Sequence, residues 1–240
     1  MHRLWGHFRS EIPIYASGCF RGLGGDGMIE KAQRFVAQGF KAIKMQVAHI
    51  YDRHTDLANV RRMREALGSE IEIMIDVNRG WSADVAIQMG RKFQDYDIYW
   101  LEEPVAAEDF AGYMRIADAL DMRIVGGESH FTRYDLRPFL ENPKLPILQP
   151  DPVRGGLTEL RKIAAIADTW GMDLAPHLFP ELMVQVLASI PNGVWLEHMG
   201  WLDDLWVENV PVVNGMTRAP ERPGHGLAFR PEVLREHVVR

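Results

Sequence analysis

Short runs rich in β-branched residues alternate with longer amphipathic runs along most of the 240-residue chain. A short apolar run is typical of a buried strand, and apolar residues three or four positions apart are typical of a helix. The pattern predicts eight strands, at residues 12–17, 42–47, 71–77, 99–103, 123–128, 147–151, 173–177 and 194–197. It predicts seven helices between them, at residues 28–38, 55–66, 83–94, 110–119, 133–139, 159–170 and 181–189. Strands and helices that alternate without a long linker favour an α/β fold with a β/α barrel over an open sheet.

Polar residues and glycines indicate where these elements begin and end. Ser82, Thr132 and Thr158 precede the third, fifth and sixth helices and are predicted N-caps. Glycines cluster in residues 18–26, which we expect to form a loop over the barrel mouth. We expect residues 1–240 to form one barrel domain, with an irregular C-terminal tail from about residue 205, where prolines recur.

Three carboxylates end three consecutive predicted strands. Asp76, Glu102 and Glu128 lie 26 residues apart in each step, which is about one strand–helix unit. Because the carboxyl ends of barrel strands meet at one rim, we expect the three side chains to converge there. Oxygen ligands of this kind suit Mg²⁺ or Mn²⁺. A single acid at the end of a strand is more often a helix cap or an ion-pair partner. Acids at the same position in three consecutive strands favour a metal site.

A carboxylate and an imidazole follow with the same spacing. Asp151 and His177 end the sixth and seventh predicted strands, again 26 residues apart. Histidine is suited to be a general base, and Asp151 could orient it and stabilise its imidazolium form. A lone histidine is usually a core residue, but an aspartate partner beside a metal site favours catalysis. The proton to be removed would be one α to a carboxylate, because a divalent ion stabilises the charge that develops.

Side chains two positions apart in a strand share a face, which extends the candidate site. The rule places Asn78 with Asp76 and His130 with Glu128. It also places Gln46 with Lys44 at the end of the second strand. We expect Asn78 to contact the substrate or a metal ligand, and Gln46 and His130 to hydrogen-bond substrate hydroxyls.

Composition excludes several classes of partner. The net charge of −6 argues against a nucleic-acid-binding protein, which would carry a basic patch. No apolar run approaches the roughly 18 residues needed to span a bilayer, and residues 1–11 lack the apolar core of a secretory signal. Cys19 is the only cysteine, so neither an internal disulfide nor a cysteine-based zinc site is expected. These features favour a cytoplasmic protein that binds a small molecule.

Seven short motifs, in order and with their spacing, resemble the barrel domain of the enolase superfamily, mandelate racemase subgroup, over about residues 12–227. They are GFKAIKMQV, IDVNRGW, WLEEP, GGES, QPDPVRGGLTEL, APHLFPE and VWLEH. The resemblance implies a (β/α)₇β barrel of the TIM type that binds Mg²⁺ through Asp76, Glu102 and Glu128. It implies abstraction of the proton α to a substrate carboxylate, giving an enediolate held by the metal, and it suggests a homo-oligomer.

Glu197, at the end of the eighth predicted strand, resembles the acidic hydrogen-bond donor of the family, which contacts the substrate carboxylate. That role requires a protonated side chain and therefore a raised pKa. An ordinary ion pair at the strand end is the alternative for Glu197. Lys44 likewise either contacts the substrate carboxylate electrostatically or pairs with a neighbouring strand-end acid.

The sequence departs from the subgroup at the second strand. Members usually carry Lys-x-Lys there, and this chain has Lys44-Met45-Gln46. An amide does not accept a proton near neutral pH, so a racemase with two bases is disfavoured. The expected function is a Mg²⁺-dependent hydro-lyase, a dehydratase of a sugar acid, in which His177 is the base. A racemase or epimerase of a 2-hydroxy acid is the alternative enzyme.

Members of the family also carry an N-terminal α+β capping domain that closes the barrel mouth. The sequence begins a few residues before the first predicted strand, so we expect the capping domain to be absent. Without closure, water is not excluded and electrostatic stabilisation weakens. A truncated metal-binding barrel with impaired catalysis is therefore a third alternative.

Overall fold

The computed structural model describes residues 1–237, and within them eight parallel strands follow one another around a curved sheet. They are β1 Ile12–Cys19, β2 Ala42–Gln46, β3 Glu72–Asp76, β4 Ile98–Glu102, β5 Arg123–Gly126, β6 Ile147–Leu148, β7 Asp173–Leu174 and β8 Leu196–His198. The order across the sheet is β7-β6-β5-β4-β3-β2-β1-β8. The N–H of Leu174 donates to the carbonyl of Asn192 (2.7 Å), and the N–H of Val194 donates to that of Leu174 (2.8 Å). These bonds join β7 to the segment before β8 and close the barrel.

Helices surround the sheet in the part of the chain that the structure describes. They are α1 His2–Trp5, α2 Gly24–Ala37, α3 Arg53–Leu67, α4 Ala83–Phe93, α5 Phe110–Ala119, α6 Arg137–Glu141, α7 Pro152–Thr169, α8 Pro180–Leu187 and α9 Pro231–Glu236. None of the described helices has both the length and the apolar character that crossing a bilayer requires. The predicted α/β barrel is confirmed.

Two apolar layers support the barrel. The larger one lies between the strands and the surrounding helices. The inner one takes one buried side chain from each of seven consecutive strands or strand ends: Tyr15, Ala42, Met74, Trp100, Val125, Ile147 and Ala175. Because side chains alternate between the faces of a strand, the residues two positions further on face the barrel mouth. That register brings Lys44, Asp76, Glu102 and His177 to one level above the inner layer.

The last strands are shorter than predicted. Strand β5 ends at Gly126, and strands β6 and β7 end at Leu148 and Leu174, so the predicted strand-end residues after them lie in the following loops. Prolines in QPDP and APH explain two of these differences, because proline lacks the N–H that continues a ladder. In the third case Gly127 has φ 128°, which an extended strand does not allow.

Two predicted helix caps are wrong. Helix α6 begins at Arg137, next to Pro138, and Thr132 instead hydrogen-bonds to the side chain of Asp135 in a turn. Helix α7 begins at Pro152, where proline is favoured, and the structure gives no capping role to Thr158. Gly156, with φ 73°, interrupts α7 and separates its first turns from the stretch that was predicted.

The glycine-rich segment and the tail also differ from expectation. Residues 18–26 are not one loop: they include the end of β1, a 3₁₀ turn at Arg21–Leu23 and the start of α2. The tail contains strand β9, Met216–Thr217, which pairs antiparallel with β1, and helix α9. Helix α1 lies outside the predicted pattern as well.

Ser82 is confirmed as the N-cap of α4, because its hydroxyl accepts a hydrogen bond from the N–H of Val85. Ser82→Ala leaves that donor without its partner and is expected to lower the free energy of unfolding by about 1 kcal/mol. Urea denaturation monitored by circular dichroism measures the change. Ser69→Ala is the matched control, because the Ser69 hydroxyl only contacts the exposed Glu70. Equal losses in the two variants would contradict the capping role.

Candidate active site

Three acids stand side by side at the carboxyl ends of adjacent strands. Asp76 and Glu102 are register partners of β3 and β4, and Glu128 lies two residues beyond the end of β5. Burial raises the pKa of Glu102 to about 8, assisted by the charges of Asp76, Glu197 and Glu128 and opposed by Lys44. Burial also raises the pKa of Glu128 to about 7, opposed by His177. A cation bound at the mouth would offset the burial and the mutual repulsion and so favour the ionised form of these acids.

Neighbouring side chains hold the oxygens of these acids. The Gln46 amide donates to Asp76 Oδ2 (3.1 Å), and Gln149, fully buried, donates to Glu102 Oε2 (2.8 Å). In residues 1–237 no three acidic, histidine or cysteine side chains are grouped closely enough to hold a metal ion. The donor chemistry fits a hard divalent cation, because all three groups are carboxylates. The carboxylate oxygens of Asp76, Glu102 and Glu128 are not yet arranged around one common point.

Lys44 lies between two carboxylates at the barrel mouth. Its Nζ is 2.6 Å from Glu102 Oε1 and 2.9 Å from Glu197 Oε1, and all three side chains are buried. Burial alone would lower the pKa of Lys44, but the charges of Glu102 and Glu197 raise it well above its ordinary value. Lys44 is therefore a fixed cation here, and the ion pair predicted as one of its two alternatives is the one observed.

Glu197 lies in surroundings that favour its ionised form, whereas a carboxyl group that donates a hydrogen bond must be protonated. Burial would raise its pKa, but the charges of Lys44 and His177 and the N–H of Leu178 lower it to about 2. The carboxylate of Glu197 is ionised in this arrangement. This is the ion pair given as the alternative for Glu197, because the counter-charge of Lys44 reaches Glu197 from the other side of β1.

His177 and Asp151 form a close pair at the same mouth. His177 Nδ1 is 2.7 Å from Asp151 Oδ2, and the other carboxylate oxygen of Asp151 accepts from the N–H of Val153 (2.6 Å). His177 Nε2 faces Glu128 Oε2 at 3.4 Å. Burial lowers the pKa of His177, but the hydrogen bond to Asp151 and the charges of Glu197 and Glu128 raise it to about 9. Asp151 fixes the ring so that Nε2 points toward the acids.

Two of the predicted substrate contacts remain near the acids, and one does not. Gln46 contacts Asp76, and the backbone N–H of Asn78 donates to Asp76 Oδ1 (2.7 Å). The ring of His130 instead packs against Phe110 and Phe139 of the helix layer, with centroids 5.5 and 5.6 Å apart. The two-residue alternation fails for His130 because β5 has already ended. A contact between His130 and substrate is not supported.

Sequence reasoning missed several residues of the site. Gln149 lies two positions before Asp151, and the alternation rule alone would have placed it on the same face. Tyr15 lies below Lys44, with Nζ 5.4 Å from the ring centroid. The fully buried side chain of Glu103, directly after Glu102, contacts Arg79 and Ser129.

The chain is similar in sequence to proteins of a known family. Residues 27–233 match the family described as "Enolase C-terminal domain-like". A 3,6-anhydro-alpha-L-galactonate cycloisomerase of Streptomyces coelicolor is 36% identical over 229 residues, which are 95% of this chain and 63% of that protein. Dehydratases and cycloisomerases of sugar acids are among the proteins to which the chain is similar.

Solved structures agree with the barrel in detail. A racemase from Streptomyces coelicolor A3(2) with bound magnesium has a TM-score of 0.93 and 35% identity, covering 99% of this chain and 66% of that one. An L-talarate dehydratase from Polaromonas sp. JS666, in complex with Mg and L-glucarate, has a TM-score of 0.92 and 32% identity, covering 98% and 66%. The chain thus spans 63–66% of the length of these three proteins.

Proposed function

The chain belongs to the enolase C-terminal domain-like family, as its resemblance to the mandelate racemase subgroup predicted, and we propose that it is the barrel of a Mg²⁺-dependent sugar-acid dehydratase. The observation that carries the proposal is the His177–Asp151 pair, which directs one imidazole nitrogen at the acidic mouth. Relatives that act on sugar acids, and neighbours crystallised with magnesium, support the choice of substrate class and cofactor.

Asp76, Glu102 and Glu128 are the proposed ligands of Mg²⁺, which would supply positive charge beside the developing charge of the substrate carboxylate. Carboxylate oxygens are the ligands that this ion prefers. Gln46 and Asn78 already contact Asp76 and are proposed to orient that ligand or the substrate next to it. Mn²⁺ is the expected substitute.

His177 is the proposed base. In its neutral form, Nε2 takes the proton from the carbon α to the substrate carboxylate, and the electron pair passes into that carboxylate as an enediolate. The bond between the β-carbon and its hydroxyl oxygen then breaks, and the imidazolium returns its proton to the leaving hydroxide as water. The enol that remains tautomerises to a 2-keto-3-deoxy acid. Asp151 accepts the Nδ1 hydrogen bond throughout and stabilises the imidazolium.

A single base favours dehydration over racemisation. Inversion at the α-carbon needs a second base on the opposite face, and the residue at that position is the amide Gln46. Lys44 is held by Glu102 and Glu197 and keeps its proton, so its proposed part is electrostatic. Glu197 is proposed to set the charge and position of Lys44. Assembly as a homo-oligomer stays a prediction.

The test incubates the protein with Mg²⁺ and a panel of aldonates and aldarates in deuterated water. We expect a 2-keto-3-deoxy product from at least one of them, and no product after chelation by EDTA. Deuterium at the α-carbon with inversion and no keto product would instead assign an epimerase. Magnesium binding without turnover of any sugar acid would contradict the proposed activity for this chain, which spans only part of its relatives' length.

A further inference from the structure

Each proposed metal ligand is followed closely in sequence by one member of a second, interlinked group of side chains. Arg79 lies three residues after Asp76, Glu103 directly follows Glu102, and Ser129 directly follows Glu128. These residues occupy three different loops, those after β3, β4 and β5. We propose that Arg79, Glu103 and Ser129 form a clamp that positions the three acids for magnesium; the inference rests on the proposed function.

The contacts of the clamp close a triangle. Arg79 Nε is 3.2 Å from Glu103 Oε2, and the Ser129 hydroxyl donates to Glu103 Oε1 (3.1 Å). Arg79 Nη1 donates to the Ser129 hydroxyl oxygen (3.3 Å), so every member contacts both others. Glu103 is completely buried at the centre. A shift of any one loop therefore breaks contacts to the other two.

Backbone bonds extend the link from the clamp to the acids. The N–H of Arg79 donates to the carbonyl of Glu103 (2.7 Å), and the N–H of Glu103 donates to that of Val125 in β5 (3.1 Å). Asn78, Arg79 and Glu103 have φ of 51°, 64° and 39°, a left-handed conformation that costs free energy in residues with a side chain. The surrounding contacts hold the backbone in that conformation directly beside Asp76 and Glu102.

Electrostatics favours positioning over simple stabilisation as the role of Glu103. The buried carboxylate of Glu103 lies next to Glu102, so the two negative charges repel each other and burial adds a desolvation cost. The ion pair with Arg79 offsets these costs and gives little net stabilisation. A buried ion pair of this kind is weak evidence for stability but fixes geometry well. Groups that hold metal ligands in place typically change metal affinity tenfold to a hundredfold when they are removed.

The experiment measures the dissociation constant of Mg²⁺ by isothermal titration for the wild-type chain, Arg79→Ala, Glu103→Gln and Ser129→Ala. We expect each variant to bind roughly tenfold more weakly. The double variant Arg79→Ala/Glu103→Gln should bind about as weakly as the worse single variant, because the two substitutions disrupt one shared ion pair within the same triangle. Ser129→Thr keeps the hydroxyl and should restore most of the affinity. Thermal melting by circular dichroism verifies that each variant folds.

The matched control is Arg133→Ala with Glu159→Gln, an arginine–glutamate pair at 2.6 Å that joins the loop after β5 to helix α7. These variants should leave the dissociation constant within twofold of the wild type. Clamp variants that also stay within twofold would overturn the clamp while leaving the proposed function intact. A wild-type chain that binds no Mg²⁺ would overturn the metal site itself, and the clamp's effect on it as well.

A second measurement does not depend on the metal. Hydrogen–deuterium exchange of Glu103→Gln should accelerate together in the loops 77–82, 103–109 and 127–136, because the central partner is lost. In the control variant Glu159→Gln, the loops after β3 and β4 should exchange as in the wild type. Acceleration confined to the loop that carries Glu103 would overturn the mechanical link between the three loops.

Discussion

His177→Asn is expected to lower kcat for dehydration by about 10²–10⁴-fold, because a positioned general base contributes that much to proton transfer. Asparagine keeps a donor near Asp151 but has no group that takes a proton near neutral pH. Mg²⁺ affinity should change little, because the proposed ligands are the three carboxylates. The assay follows the 2-keto-3-deoxy product, and titration calorimetry follows the metal.

His54→Asn serves as the control, since His54 is exposed on α3. It should retain wild-type kcat and wild-type metal affinity. Exchange of the substrate α-proton with solvent deuterium separates the steps further: His177→Asn should lose exchange together with dehydration. Dehydration retained at the wild-type rate by His177→Asn would remove this residue from the proposed mechanism.

Lys44→Met is expected to lower the free energy of unfolding by roughly 3–5 kcal/mol, because removing one partner of a buried ion pair leaves uncompensated charge. Methionine has a similar length and no charge, so packing changes little. Glu102 and Glu197 would then face each other without the ammonium that lies within 3 Å of both. Urea denaturation at pH 8, in the absence of divalent ions, measures the loss.

Lys162→Met is the matched control. The Lys162 ammonium pairs with Glu159 at 3.6 Å but is about half exposed, so its removal should cost less than about 1 kcal/mol. The double variant Lys44→Met/Glu197→Gln should recover part of the stability lost in Lys44→Met, because it removes one of the unpaired charges. Equal losses in Lys44→Met and Lys162→Met would contradict the account of the buried charge.

The sequence was most informative where the two-residue alternation along a strand alone decides which way a side chain faces. Asp76 and Glu102 end their strands, and the alternation that buries Met74 and Trp100 inside the barrel brings both acids to the mouth. The 26-residue steps from Asp76 to Glu102, from Glu102 to Glu128 and from Asp151 to His177 reflect one strand–helix unit, so this spacing also located His177. These inferences require only that the strands form a barrel and that side chains alternate between its two faces.

Sequence reasoning failed where the chain leaves a strand or helix. It also failed where an ion pair joins residues that are far apart in the sequence. His130 lies four residues beyond the end of β5, so the two-residue alternation does not hold from Glu128 to His130, and the ring packs against Phe110. The charge of Glu197 depends on Lys44, 153 positions earlier in the sequence, and no local pattern reports that contact. The contact between Arg79 and Glu103 likewise depends on the conformation of two loops.

The most direct measurement of the central claim is a crystal structure of this chain grown with Mn²⁺, with anomalous scattering used to locate the ion. We predict one strong peak at the barrel mouth, bound by oxygens of Asp76, Glu102 and Glu128 and facing the Nε2 edge of His177. A peak bound by other residues, or an ordered mouth without one at saturating Mn²⁺, would contradict the metal site on which the proposed chemistry depends.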